Sequence, residues 1–303
     1  MLCNYTILSN STCVYIYIHI DCYRDNNSNR NGKFRVTYDD EVSDNCESLV
    51  MIGVGTNMNT EDYDILSSKV STGKPIVTVF TDHNHRGFIK LDEKKYASLY
   101  NRITQDLDNE IQVCKGKSPT VIIGGHSASG RSGLQAMKLD LLSSPPDGFI
   151  RLDPFQAQKE PTRFPKSDPG TTIDPDLPFL SWGFERATCA VTVDIAAKSA
   201  YELAGKENRV FFRVANTGQT SGFGHCEFSN RGCKVIGNII LPNCPNSKND
   251  NIKDVVAESI RVFAAAVSKG SIKAGDFELD ASNAGVGIEV FLNSDDVSNS
   301  AEL

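Results

Sequence analysis

From Ser48 to Val267 the chain alternates short, almost wholly apolar runs with stretches in which apolar residues recur every three or four positions. Runs of the first kind are buried parallel strands, and the second rhythm is that of helices covering a sheet. SLVMI (48–52) predicts the first buried strand, ending in Gly53-Val54-Gly55-Thr56. TEDYDILSSKV then predicts a helix with Tyr63, Leu66 and Val70 on one face and Gly73 as its stop. PIVTVF (75–80), TVIIGG (120–125), GFIRL (148–152), PFLSW (178–182) and RVFFRVA (209–215) are five further strands. Between them, Tyr96, Leu99, Tyr100, Ile103, Leu107 and Ile111 mark the inner face of a long helix, and HSASGRSGLQAMKLDLL begins another. A helix around Ile195–Ala204 and a stripe of Ile252, Val255, Val256, Ile260, Phe263 and Val267 complete the set. CVYIYIHI (13–20) and KFRVTY (33–38) predict antiparallel edge strands. Pro154, Pro161, Pro165, Pro169 and Pro175 exclude a regular helix between GFIRL and PFLSW, and a connection of that length reads as a lid or pocket wall. The pattern predicts an α/β chain with a mostly parallel sheet and helices on both faces. Residues 1–32 form an N-terminal segment of uncertain order, 33–269 the domain, and 270–303 an acidic tail.

At 303 residues, 40% hydrophobic and 23% charged, the chain has the make-up of an ordinary globular domain. A net charge of −7 without any Lys/Arg cluster argues against a nucleic-acid partner, and no apolar run is long enough for a membrane span. The nine cysteines include no C-x-x-C pair, so a zinc ribbon is not expected. Cys226, Cys233 and Cys244 lie close enough in sequence for one disulfide among them. The opening residues, MLCNYTILSNSTCVYIYIHIDCYR, lack the basic start and clean apolar core of a secretory signal. They read as an incomplete N-terminus or a degenerate leader, so the compartment stays open, plastid and secreted both fitting. Asn4-Tyr5-Thr6 and Asn10-Ser11-Thr12 match the short glycosylation pattern.

The chemistry concentrates in Ile122-Ile123-Gly124-Gly125-His126-Ser127-Ala128-Ser129-Gly130. A buried strand that runs through Gly-His-Ser straight into a helix is the setting of a nucleophile elbow, a turn so tight that it lifts the serine above the sheet. Gly125 leaves room for the turn, whereas Ser129 stands where a second glycine usually does. The same stretch, Gly125 to Ser132, also reads as a phosphate loop with arginine in place of lysine, and FIRLD (149–153) would then supply a magnesium-binding aspartate. Arginine differs from lysine in shape and donor geometry, and that reading leaves His225 and the Gly53–Thr56 loop without a role.

A serine nucleophile needs a base, an acid to orient it and donors for the oxyanion. His225, in Gly224-His225-Cys226-Glu227-Phe228 after the last parallel strand, is the candidate base. Two carboxylates fit the acid: Asp153, ending one strand, and Glu185, following the next. Ala128 supplies one backbone N–H for the oxyanion, and Thr56 or Asn57 the other. Asp82, His83 and His85 have a spacing that metals use, but histidines beside a loop more often line a mouth or face solvent, and no metal is assigned. Phe155, Phe164, Phe179, Trp182, Phe184 and Phe223 are candidates for an apolar pocket, some of them necessarily core.

The loop and helix GVGTNMNTEDYDILSSKV, the elbow GGHSASG, the segment RLDPF and GFGHCEF together resemble the chlorophyllase group of α/β hydrolases. That group is close to platelet-activating-factor acetylhydrolases and bacterial polyester hydrolases. The resemblance spans roughly Leu49 to Lys269 and departs from the group at Ser129 and Phe155. It implies the α/β-hydrolase fold and a serine carboxylic-ester hydrolase that needs no cofactor. It favours Asp153 as the acid, since the group carries its acid in a Leu-Asp-Pro segment soon after the elbow. The implied substrate is a small-molecule, apolar ester: chlorophyll, split to chlorophyllide and phytol, or else a lipid, cutin or polyester bond. A catalytically silent binding protein of the same fold is the alternative from another class.

Overall fold

Side chains of a strand alternate between its two faces, so an apolar run fills both faces of a sheet only where helices cover both. In the computed structural model of the chain this is the arrangement. The structure describes residues 4–10, 13–19, 33–39, 45–82, 92–106, 114, 118–153, 177–184, 208–215, 224–230, 250–272, 274–277, 279 and 287–292. The strands are β1 (Asn4–Asn10), β2 (Cys13–His19), β3 (Lys33–Tyr38), β4 (Ser48–Gly53), β5 (Ile76–Asp82), β6 (Thr120–His126), β7 (Gly148–Leu152), β8 (Phe179–Phe184), β9 (Arg209–Ala215) and β10 (Gly287–Leu292). The helices are α1 (Asp64–Ser71), preceded by a 3₁₀ turn at Thr60–Tyr63, then α2 (Glu93–Asp106), α3 (Ala128–Lys138) and α4 (Asp250–Ser268).

One ten-stranded sheet runs in the order β1-β2-β3-β5-β4-β6-β7-β8-β9-β10. The stretch from β5 to β9 is parallel throughout, while β1, β2 and β3 on one side and β10 on the other pair antiparallel. The chain leaves β4 toward β5 through α1, then returns past β4 to β6 through α2. Right-handed crossovers in opposite directions put α1 and α2 on opposite faces. Leu66 and Val70 of α1 accordingly join the α4 stripe over Val50, Ile52, Ile122, Ile150 and Trp182. Tyr96, Tyr100 and Ile103 of α2 join Leu134 of α3 over Leu49, Met51, Ile123 and Phe149. The reversal of direction between β4 and β6 opens a crevice at the carboxyl ends of those strands, which is where sheets of this type bind ligands.

Two expectations change. The segment 1–32 contributes β1 and β2 to the sheet, so CVYIYIHI is an interior strand and Asn4–Asn10 is the edge. The stretch 270–303 likewise contributes β10. NYTILSN and GIEVFL are short and flanked by Asn, Ser and Asp, so they become strands through pairing with β2 and β9 rather than through local preference. The helix expected around 195–204 and the proline-rich segment 154–176 lie outside the described residues.

Cys46, just before β4, is bonded to Cys114, ahead of β6, across a sequence separation of 68. Cys226 is disulfide-bonded as well, and Cys233 and Cys244 lie outside the described residues. Closing a loop of that length restricts the unfolded chain by roughly 2–4 kcal/mol. The double substitution Cys46→Ser with Cys114→Ser is therefore expected to lower the melting temperature by an amount matching that loss, read by thermal denaturation without reductant. An unchanged melting curve would mean that the bond does not form.

Candidate active site

The end of β6 is crowded by design of its small residues. A methyl group on Gly125 would lie 2.4 Å from the Gly130 nitrogen and 2.4 Å from the Ser129 carbonyl carbon, so only glycine fits. The next turn places Ser127 at φ 56°, ψ −124°, with α3 beginning at Ala128. Its N–H is satisfied by the Leu152 carbonyl at 3.1 Å, across the sheet in β7. Asn57 and Asp153, at φ 59° and 40°, also take the left-handed region, which side-chain-bearing residues enter at a cost and which clusters at functional sites.

The three residues singled out in the sequence come together. The Ser127 hydroxyl lies 2.9 Å from His225 Nε2, and His225 Nδ1 lies 2.7 Å from Asp153 Oδ2. An ionised carboxylate only accepts, so Nδ1 carries the proton and donates to Asp153, leaving Nε2 to accept from the Ser127 O–H. All three are buried, between 4 and 6% exposed. Burial pushes the Asp153 carboxyl up, and the hydrogen bond and charge of His225, then the charge of Arg151, pull it back. Arg151 is itself fully buried in β7; burial and then Arg131 of α3 lower its guanidinium to about 9, so it remains a cation at neutral pH. Glu185, the other carboxylate considered, lies outside the described residues.

His225 sits in a tight run, Gly224 to Asn230, closed by Glu227 N–H to the Gly224 carbonyl and Ser229 N–H to the Cys226 carbonyl, both 3.0 Å. Phe228 anchors this run in the core against Trp182, Phe184 and His126. On the other side, the loop after β4 makes a turn closed by Met58 N–H to the Gly55 carbonyl at 3.1 Å, with Thr56 and Asn57 at its apex. That loop is pressed against the elbow, since a methyl on Gly55 would lie 2.8 Å from His126 Nδ1. The Ser129 hydroxyl donates to the Val54 carbonyl. The serine that departs from the usual elbow pattern thus ties the Ser127 turn to the loop expected to hold the oxyanion. Ala128, fully buried at the first position of α3, has an N–H that the helix itself leaves without a partner.

Two further expectations resolve among the described residues. Phe179, Trp182 and Phe184 are buried in β8 and belong to the core; Trp182 stacks on Phe212 at 4.7 Å and donates its indole N–H to Ser259 Oγ at 2.9 Å. Phe155, Phe164 and Phe223 lie outside the described residues, as do His83 and His85. The phosphate-loop reading of Gly125–Ser132 has no loop to work with, because β6 runs to His126 and helix begins at Ala128. Among the described residues no group of His, Cys, Asp and Glu is arranged to hold a metal, and no helix is long and apolar enough to cross a membrane. His126 and Tyr63 are what sequence reasoning missed: both are buried at the site, and Tyr63 had been placed only on the inner face of a helix. A histidine directly before Ser127 was the available signal. No protein-family model matches the chain, and no curated protein matches it.

Burial, and then the nearby His225, hold the His126 imidazole well below the ordinary histidine range. The stability this neutral ring contributes is fully present above its unfolded value of 6.5 and is lost as pH falls from there toward the folded value. His126→Gln, which cannot titrate, is expected to lose less melting temperature than the wild type between about pH 7 and about pH 5. A parallel decline of the two curves would show that His126 does not carry this effect. Gly125→Ala is expected to lower the melting temperature more than Gly73→Ala, whose added methyl meets nothing within 4 Å and costs only the strain of a side chain at φ 64°.

Proposed function

We propose that the chain is a serine ester hydrolase of the α/β-hydrolase fold, with Ser127 as nucleophile, His225 as base and Asp153 as the orienting acid. The observation that carries this reading is the hydrogen-bonded run Ser127–His225–Asp153, built on a left-handed turn at the strand-switch crevice. A serine, a histidine and a carboxylate from three separate loops have no packing reason to line up donor to acceptor in this way. The likeness of GGHSASG, RLDPF and GFGHCEF to chlorophyllases supports the same reading.

The steps follow from the geometry. Ser127 Oγ attacks the ester carbonyl carbon as its proton passes to His225 Nε2, and the resulting imidazolium is stabilised by the Asp153 carboxylate. The backbone N–H of Ala128 and one from Thr56 or Asn57 receive the oxyanion. The imidazolium returns its proton to the departing alkoxide, leaving Ser127 acylated. His225 then takes a proton from water as the water oxygen attacks the acyl carbon, and the imidazolium returns that proton to the departing Ser127 Oγ, releasing the carboxylic acid and restoring the free serine. The first substrates to test are a short nitrophenyl ester and, because of the resemblance, chlorophyll, followed by lipid and polyester bonds.

A fluorophosphonate probe is expected to label Ser127, and Ser127→Ala to lose both labelling and ester turnover while retaining its fold. A folded Ser127→Ala with wild-type turnover would remove the reading, and wild-type protein that resists the probe would leave a binding protein. Asp153→Asn is expected to lose at least ~10²-fold in turnover, a cautious figure beside the ~10⁴ seen in a serine protease triad. Glu185→Gln is expected to stay within about tenfold, because a group outside the triad makes no contact that strengthens in the transition state. The reverse ranking in steady-state kinetics would move the acid to Glu185.

A further inference from the structure

Tyr63 is fully buried at the end of the 3₁₀ turn, its ring stacked on Phe80 at a centroid distance of 4.8 Å. Its hydroxyl receives the Gly55 N–H at 3.0 Å, lies 2.6 Å from His126 Nδ1 and has Met58 Sδ, a weak thioether acceptor, at 2.9 Å. The other nitrogen of that ring, His126 Nε2, lies 2.8 Å from the backbone carbonyl of His225. A carbonyl only accepts, so Nε2 carries the ring's proton, Nδ1 is an acceptor, and Tyr63 must donate to it. One directed path results: Gly55 N–H to Tyr63 O, Tyr63 O–H to His126 Nδ1, His126 Nε2–H to the carbonyl of His225. A second link runs beside it, from the Asn230 N–H to the Asp62 carbonyl.

We propose that Tyr63 and His126 are positioning residues that hold the loop at Thr56 and Asn57 and the loop at His225 in one frame. This rests on the hydrolase reading. The two loops follow β4 and β9, four strands apart in the sheet and thus separated by roughly 19 Å at the spacing of neighbouring strands. Their approach over the elbow is made by these side chains and the turn carrying Tyr63. The oxyanion donors must sit at a set distance from the atom that Ser127 attacks, and His225 Nε2 must face Ser127. A shift between the two loops changes both relations together. Neither Tyr63 nor His126 is exposed to a bound ester, so the relay acts on the transition state and not on ground-state binding.

The test compares Tyr63→Phe, His126→Leu and His126→Gln in the full chain, with nitrophenyl-ester kinetics, fluorophosphonate labelling rates and melting curves. Tyr63→Phe keeps the stacked ring and removes only the hydroxyl. Glutamine at 126 can place an amide N–H near the position of Nε2, and leucine cannot. The expected result for Tyr63→Phe is a kcat lower by about ten- to hundredfold, the scale of a misplacement of about 1 Å, with KM within about twofold. His126→Leu falls at least as far, and His126→Gln recovers several-fold of that loss. Tyr63→Phe combined with His126→Leu is no slower than His126→Leu alone, because both break one path. Wild-type kcat in Tyr63→Phe overturns the proposal while leaving the hydrolase reading intact. Equal losses in His126→Gln and His126→Leu that follow the melting temperatures also overturn it, since a packing role predicts that pattern. If His126→Leu does not fold, Tyr63→Phe against the wild type decides. Wild-type protein that neither turns over esters nor takes the probe at Ser127 overturns both readings at once.

Discussion

The backbone at Ser127, turned to φ 56° between a buried strand and a helix, leaves no space for a side chain at Gly125, and the surrounding structure is arranged around that crowding. A left-handed residue with a side chain is unstable by itself and persists only where its neighbours over-determine it. Here they do. The Ser127 N–H is taken by β7, the Ser129 hydroxyl by the Val54 carbonyl, and His126 by Tyr63 on one side and the His225 loop on the other. The turn therefore does more than present a hydroxyl. It is the point at which the loop after β4, the end of β7 and the loop after β9 are joined.

Polar groups buried this deeply are tolerable only when their hydrogen bonds are made. His126 meets that condition as a neutral ring with one nitrogen donating and one accepting. Asp153 meets it differently, as a carboxylate held between the Nδ1–H of His225 and the positive charge of Arg151. The two histidines, 4.7 Å apart between ring centroids, thus carry separate duties set by their hydrogen-bond partners: His126 bonds to a phenol and a carbonyl, and His225 to a carboxylate. Proton transfer from Ser127, in the proposed reaction, would generate a cation only where a counter-charge already stands.

The sheet supplies rigidity to this arrangement and the loops supply its chemistry. Two cores, one under α1 and α4 and one under α2 and α3, clamp the central strands, whose ends then leave the crevice with little freedom. Phe228 reaches from the His225 loop into the first of these cores, so His225 stands on packed aromatic side chains beside the disulfide-bonded Cys226.

The parallel strands from β4 to β9 and the helices α1 to α4 were legible in the amino-acid sequence because burial on both faces demands unbroken apolar runs, and one-sided burial demands helical stripes. Ser127 and Asp153 were legible for a related reason: Gly125 near the end of a buried strand, and polar residues at strand ends, are patterns that local backbone chemistry imposes, whereas His225, well beyond the end of β9, was legible only as the histidine of the loop after that strand. The choice between Asp153 and Glu185 was open to the residues alone, since both follow buried strands; the hydrogen bond from His225 to Asp153 depends on which strand end faces His225, and Glu185 lies outside the described residues. β1 and β10, the core burial of Phe179 and Trp182, the Cys46–Cys114 bond and the path through Tyr63 and His126 were decided only by the tertiary structure. Each depends on a partner distant in sequence, and short-range pattern carries no information about which distant groups the sheet order will bring within hydrogen-bonding reach.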